Sequence, residues 1–234
     1  MLALDFEGTK ARAEQGNVSA QYNLGVMFDN GLGVTEDPAE AARWYRLAAE
    51  QGDPEAQSNL GVLFDAGRGV PQDFVEAVKW YHKAAVQGHA RAQYNLGLMY
   101  ENGLGVRPSD AEAAAWYRQA AERGIVAAQS NLGCLYAHGR GVPQDYAEAH
   151  RWNMLGAQSG SAQAQFNLGV LHAKGLGVPI DYIEAYKWFS LAASQRYAQA
   201  VNVLYLFAQV MAPNEVAEAK RRAEEFTAAQ GRRH

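Results

Sequence analysis

The residues in this sequence best placed by type and spacing to do chemistry are glycines. The stretch GLGV ending at Val34 returns as GRGV from Gly67, GLGV from Gly103, GRGV from Gly139 and GLGV from Gly175. Such loops can cradle phosphate, because backbone free of side chains lets several N–H groups converge on an anion. A dinucleotide fingerprint needs a third glycine three residues after the second, where this chain has Glu36, Gln72, Pro108, Gln144 and Ile180. A P-loop needs lysine and then serine or threonine after its last glycine, and none of the five loops has that pair. The loops therefore read as turns. Cys134 and His138 could share a helix face, and His172 stands at the register position of Phe28, Phe64, Tyr100 and Tyr136. A zinc site needs three or four ligands, so a core cysteine with polar-tolerant replacements of aromatics is the better reading and no metal is expected. No serine–histidine–aspartate set, acid pair or cysteine–histidine pair can be assembled from spacing. No catalytic residue and no cofactor are expected.

Composition narrows the classes further. A chain of 234 residues, 48% of them hydrophobic, is that of a folded protein rather than a disordered one. The net charge of −4 supplies no basic field for nucleic acid or for an anionic membrane surface. One cysteine cannot form an internal disulfide, which fits a reducing compartment. No apolar run approaches the ~18 residues a membrane helix needs. The opening MLALDFEGTKARAEQG meets acids after a few apolar residues, so it is not expected to be a secretory leader. The chain reads as cytoplasmic, with periplasmic or secreted placement open to a protein whose leader has been removed.

The elements that position the loops follow one clock. AQYNLG at Ala20 returns as AQSNLG at Ala56, AQYNLG at Ala92, AQSNLG at Ala128 and AQFNLG at Ala164, a period of 36 residues. Tryptophan keeps the same spacing at Trp44, Trp80, Trp116, Trp152 and Trp188. A period of this size marks a solenoid, whose units bury their apolar faces against one another. Each unit reads as two helices, with Ala20, Leu24, Met27 and Phe28 on one stripe and Ala41, Trp44, Tyr45, Ala48 and Ala49 on the other. Second helices open with a capping-box pattern at Asp37 and Glu40, Asp73 and Glu76, Ser109 and Glu112, Asp145 and Glu148, and Asp181 and Glu184. They close at Gly52, Gly88, Gly124 and Gly160. The glycine loop then turns the chain between two helices. Unit four departs most, with WNMLGAQSG where unit one has WYRLAAEQG, and Gly156 predicts a close contact or a weak point.

The string AQYNLGVMFDNGLGV, followed by D-x-x-E-A, WY and AAEQG, resembles the Sel-one-like repeat of the tetratricopeptide superfamily. The resemblance implies an all-α, right-handed α-solenoid of antiparallel helix pairs, with adaptor-like roles in bacterial complexes. Five full repeats span 17–196, preceded by a half-repeat at 1–16 and followed by a divergent helix pair at 197–234 that acts as a cap. Cysteine-rich relatives are linked to β-lactam binding, but this chain lacks their cysteine pairs. Tetratricopeptide geometry further implies a concave groove lined by first helices.

The wall positions so implied are Tyr22, Ser58, Tyr94, Ser130 and Phe166; Val26, Val62, Leu98, Cys134 and Val170; Asp29, Asp65, Glu101, Ala137 and Ala173; and Asn30, Ala66, Asn102, His138 and Lys174. The groove is expected to be acidic in its N-terminal half and neutral to basic beyond. Burying an aromatic ring is worth ~1.5–3 kcal/mol and an exposed ion pair ~0–1 kcal/mol. Tyr22, Tyr94 and Phe166 are therefore expected to supply affinity, and Asp29, Asp65 and Glu101 to select a protein or peptide segment that carries basic residues. The alternative is that all of them only pack along the wall. Asn23, Asn59, Asn95, Asn131 and Asn167, present in every copy, are assigned to inter-helix hydrogen bonds rather than to a ligand. The leading reading is a monomeric, non-enzymatic interaction scaffold. Its nearest rival is an immunity or inhibitor protein that covers another protein's active site, and a β-lactam hydrolase is a distant third.

Overall fold

A computed structural model of the protein describes residues 5–231, so 1–4 and 232–234 of the two expected end segments lie outside the described residues. The described residues form thirteen α-helices and no strand. After α1 (Phe6–Glu14) come five pairs: α2 (Val18–Asn30) with α3 (Pro38–Glu50), α4 (Pro54–Ala66) with α5 (Phe74–Val86), α6 (Ala90–Asn102) with α7 (Asp110–Glu122), α8 (Val126–His138) with α9 (Tyr146–Gln158), and α10 (Ala162–Lys174) with α11 (Tyr182–Ser194). The chain closes with α12 (Ala198–Val210) and α13 (Pro213–Gly231). Neighbouring helices pack as the repeating pairs of an α-solenoid. The packing divides the chain within α7 into two compact units, one up to Gln119 and one from Ala120 onward.

Helix ends are set by small, repeated devices. The side chains of Asn17, Asp53, His89 and Ser161 accept from the backbone N–H three residues on, starting α2, α4, α6 and α10. Each first helix ends in a left-handed glycine, Gly31, Gly67, Gly103, Gly139 and Gly175, with φ between 65° and 67°. The second glycine of the loop is needed for a different reason. A Cβ on Gly69 would lie 2.2 Å from the Pro38 carbonyl, and one on Gly105 would lie 2.3 Å from that of Phe74. The loop backs directly onto the first turn of the preceding second helix, and any side chain would force them apart.

The expected capping boxes form only by half. Asp37 Oδ1 accepts from the N–H groups of Ala39 and Glu40, but the glutamate does not reach back. The cap's own N–H donates instead to a carbonyl of the first helix: Asp37 to Phe28, Asp73 to Phe64, Ser109 to Tyr100, Asp145 to Tyr136 and Asp181 to His172. A backbone acceptor held by the tight loop displaces the flexible side chain. Glu40, Glu76, Glu148 and Glu184 pair with Arg43, Lys79, Arg151 and Lys187 one turn further along.

The stack is held together by alanine faces, buried rings and one buried amide. Ala41, Ala48, Ala77, Ala84, Ala113 and Ala120 have no exposed surface, which lets helices approach closely. Gln21, Gln57, Gln93, Gln129 and Gln165 are buried, and each donates to a carbonyl at the end of the second-type helix before it: Ala13, Ala49, Ala85, Ala121 and Ala157. Each of these carbonyls also accepts from the N–H of the glycine that closes its helix, so the buried amide adds a second bond that ties one repeat to the next. Gln21 treats α1 as the other four glutamines treat their preceding second helices. At the other end α13 covers α11, with Trp188 and Phe226 edge to face at 5.1 Å. α12 is exposed along Tyr205 (70%), Leu206 (60%) and Val210 (82%).

Candidate functional site

In the unit up to Gln119, the first helices present the expected wall residues in mixed roles. Tyr22 and Tyr94 are half-buried, and each leans on the tyrosine of its own second helix, at 6.0 Å from Tyr45 and 5.8 Å from Tyr117. Burial, then the nearby carboxylates of Glu55 and Asp53, pushes the Tyr22 hydroxyl up from its ordinary value. Asn30 and Asn102 are exposed, and their amides donate to the carbonyls of Val26 and Leu98 one turn back. Ser58 is buried at 1% exposure, so it does not reach the wall where its register suggested.

The three acids have partners inside the protein that spacing did not reveal. Tyr45 donates its hydroxyl to Asp29 at 3.4 Å, Tyr81 to Asp65 at 3.4 Å and Tyr117 to Glu101 at 2.6 Å. Asp29 also meets Arg68 at 3.0 Å. Burial raises the Asp65 carboxyl above its usual range, offset in part by the Tyr81 hydroxyl. The hydroxyls of Tyr45 and Tyr81 are pushed far up, first by burial and then by the neighbouring carboxylate. Asparagine from the next repeat completes the first two clusters: the Asn59 amide bonds the Tyr45 oxygen and Asn95 bonds that of Tyr81. Asn59 and Asn95, two of the five repeated asparagines, thus make the expected inter-helix bonds.

The unit from Ala120 onward loses this pattern in both of its repeats, with Phe189 and Ala173 in the fifth and the larger change in the fourth. Asn153 replaces the tyrosine and Ala137 the acid, while Asn167, the counterpart of Asn59, donates to Asn153 Oδ1 at 3.0 Å. All three line an open cleft of about 360 Å³ between α8 and α10, within the range of small-ligand clefts. Its walls include Cys134, Phe166, Val170 and Leu171, and its lining also includes His138 and Lys174. Phe166 packs against Phe189 at 5.5 Å and Tyr197 at 5.4 Å. In the neighbouring repeat Phe189 lies over Gly169, in the place that Asn153 takes over Gly133.

Cys134 and His138, which spacing alone could not pair, do meet: Sγ lies 3.6 Å from Nδ1. The same Nδ1 lies 2.9 Å from the Cys134 carbonyl, which can only accept. Nδ1 therefore carries the proton and is not a base for the thiol. Among the described residues no three His, Cys, Asp or Glu side chains gather as a metal-binding group. No helix among them is long and apolar enough to cross a membrane.

The repeated architecture has known counterparts. The Sel1 repeat pattern matches residues 18–53, 54–89, 90–125, 126–152 and 162–197. This chain belongs to the Sel1-repeat family. A protective antigen present in uropathogenic Escherichia coli strains is 37% identical over 96% of this chain, with a TM-score of 0.84, and this chain spans 49% of that one. A Sel1 repeat protein from Oxalobacter formigenes is also 37% identical over 91% of this chain and 85% of its own, with a TM-score of 0.77. A Klebsiella pneumoniae Sel1 repeat protein, 22% identical over 86% of this chain and 98% of its own, shares the fold at a TM-score of 0.52. No curated protein matches the chain. The Sel1 repeat is a protein-interaction scaffold fold.

Within this Sel1-repeat chain, the matched segment 126–152 stops short of the other repeats' length, just before Asn153. The internal comparison of repeats could have marked that position, since only here are the tyrosine and its acid lost to small residues together. Gly156 nearby is a close contact: a Cβ there would come within 3.0 Å of Ala164 and 3.1 Å of Ser130 Oγ. Ser130, a second expected wall residue, is buried and bonded to Ser161 at 2.8 Å.

Proposed function

We propose that this chain is a non-catalytic scaffold that holds a segment of a partner protein along its first helices, without nucleic acid or membrane as partner. The cleft between α8 and α10 carries this reading: it is open, and apolar side chains such as Phe166, Val170 and Leu171 stand in it beside the polar groups of His138, Gln144, Asn153, Asn167 and Lys174. That is the composition of a recognition pocket. Half-buried rings at Tyr22, Tyr94 and Phe166 are the other anchors, each able to add ~1.5–3 kcal/mol when covered. Asp29, Asp65 and Glu101 have less left to offer a basic segment, since each already serves a tyrosine hydroxyl. Exposed Asn30 and Asn102 in the first unit, and His138 and Lys174 in the second, are the polar contacts of the surface.

The test compares partner recovery from bacterial extract by wild type and by Phe166→Ser with Tyr94→Ser, each change copying a residue found at the same register in another repeat. Loss of the recovered proteins by the variant is expected, and identical recovery overturns the reading. A chromogenic β-lactam incubated with both proteins checks catalysis. Turnover by wild type that a single wall substitution abolishes would sink the scaffold reading.

A further inference from the structure

We infer that the cleft between α8 and α10 is a vacated tyrosine site that receives an aromatic side chain of the partner, flanked by acidic residues. This rests on the scaffold reading and specifies what the scaffold grips. In repeats one to three a phenol ring from the second helix lies over the glycine of the first: Tyr45 over Gly25, Tyr81 over Gly61 and Tyr117 over Gly97. In repeats one and two the ring's oxygen then sits between an acid of its own first helix and an asparagine of the next. In repeat four the side chain over the glycine is Asn153, whose amide lies 2.5 Å from where a Gly133 Cβ would be. Asn153 is too short to reach further, and Ala137 leaves the acid's place empty. The surrounding frame is otherwise retained, with Asn167 still present as the group that elsewhere meets the phenol oxygen.

The space left over includes Ala137 and Asn167, at the registers of the acid and the asparagine that meet a phenol oxygen elsewhere in this chain, and it opens outward. An aromatic side chain entering from a partner would find apolar contact at Cys134, Val170 and Leu171 and amides at Asn153 and Asn167. The charge around the opening specifies its neighbours. Lys174 is exposed and His138 lies beside it on the cleft, while the acid that would repel a carboxylate is replaced by Ala137. A cation at the rim steers and selects acidic flanks, and the buried ring supplies affinity.

The probes are three acetylated, amidated peptides with the cores Glu-Tyr-Glu, Glu-Ala-Glu and Lys-Tyr-Lys, titrated into the ¹⁵N-labelled full chain. Glu-Tyr-Glu is expected to shift the side-chain amides of Asn153 and Asn167 and to bind at least about tenfold more tightly than either other peptide. Asn153→Tyr with Ala137→Asp, which rebuilds the filled arrangement of repeat one, is expected to lose this binding while keeping its helical circular dichroism. Lys174→Glu, an exposed change, is expected to shift the preference toward Lys-Tyr-Lys. Equal binding of all three peptides, no shift at millimolar peptide, or undiminished binding by the filled variant overturns the inference. A filled variant that still recovers the wild-type partners from extract also overturns it, yet leaves the scaffold reading standing.

Discussion

Tyr117 donates its hydroxyl to Glu101 at 2.6 Å, from a ring with no exposed surface to an acid one helix away. The relationship repeats between Tyr45 and Asp29 and between Tyr81 and Asp65. It vanishes from both sides at once: Ala137 stands opposite Asn153, and Ala173 opposite Phe189. An acid is kept where there is a hydroxyl to bind it. These acids are first of all members of the stack, and only secondarily a surface.

Removing one side of the pair should therefore cost stability. Glu101→Ala leaves the buried Tyr117 hydroxyl without its carboxylate and is expected to cost about 1–3 kcal/mol. Tyr117→Phe in the same background should recover part of that loss, because it removes the hydroxyl that has lost its carboxylate. Urea unfolding midpoints of the single and double variants check this, and additive losses would show that the two side chains do not act as a pair.

The two kinds of glycine should respond differently to alanine. Gly124 has φ +86° with open space around its Cβ position, so Gly124→Ala should cost only the ~1–2 kcal/mol of a left-handed residue. Gly105 has φ +69° and would also drive its Cβ into the Phe74 carbonyl. Gly105→Ala is expected to lose a further ~1–3 kcal/mol through overpacking. Thermal midpoints measured side by side decide it, and equal losses would mean that the loop does not need this close approach.

Filling the cleft from within should stabilise the protein even as it closes the site. Asn153→Tyr with Ala137→Asp buries a ring worth ~1.5–3 kcal/mol. At roughly 2–4 °C per kcal/mol for a chain of this size, the gain is readable by calorimetry. An unchanged or lower midpoint would show that the cleft is not shaped for a phenol.

Acid should weaken the second unit through two histidines. His150 and His172 meet edge to face at 5.6 Å, and His172 Nδ1 is buried without a partner among the described residues. Burial holds both below the ordinary histidine value; for His150 the other ring adds to this, while Glu184 opposes it, and for His172 Glu184 and Asp181 oppose it and Lys187 adds to it. Below about pH 6.5 the unfolded chain takes up protons that the folded chain resists. Stability is thus full above that pH and falls as pH drops through it toward the lowered folded values. His150→Ala, which copies the alanine at Ala42, should flatten the decline between neutral pH and pH 5. A decline as steep in the variant as in wild type would place the acid sensitivity elsewhere.

Much of this was legible in the residues because a repeat is its own control. The 36-residue spacing, the helix pairs, the turn glycines and the family are all local patterns, set by period, capping and left-handed backbone within a few residues of one another. The reciprocal half of the capping boxes was misread, since sequence shows the glutamate but not the carbonyl that competes with it. The buried glutamines, present in all five copies, were visible as letters, yet nothing local says that Gln57 reaches the last turn of α3. The candidate site divides in the same way. Its residues stand at foreseeable registers, but the partners of the acids lie sixteen residues away on another helix, and Ser58 and Ser130 turn inward.

By itself, then, the sequence determined what each helix is and how the chain turns, because those depend on neighbours along the backbone. Only the tertiary structure decided which polar side chains are already engaged and where the wall is open. That depends on what fills the space between helices, and a missing ring at Asn153 becomes a cleft only once the frame around it is in place.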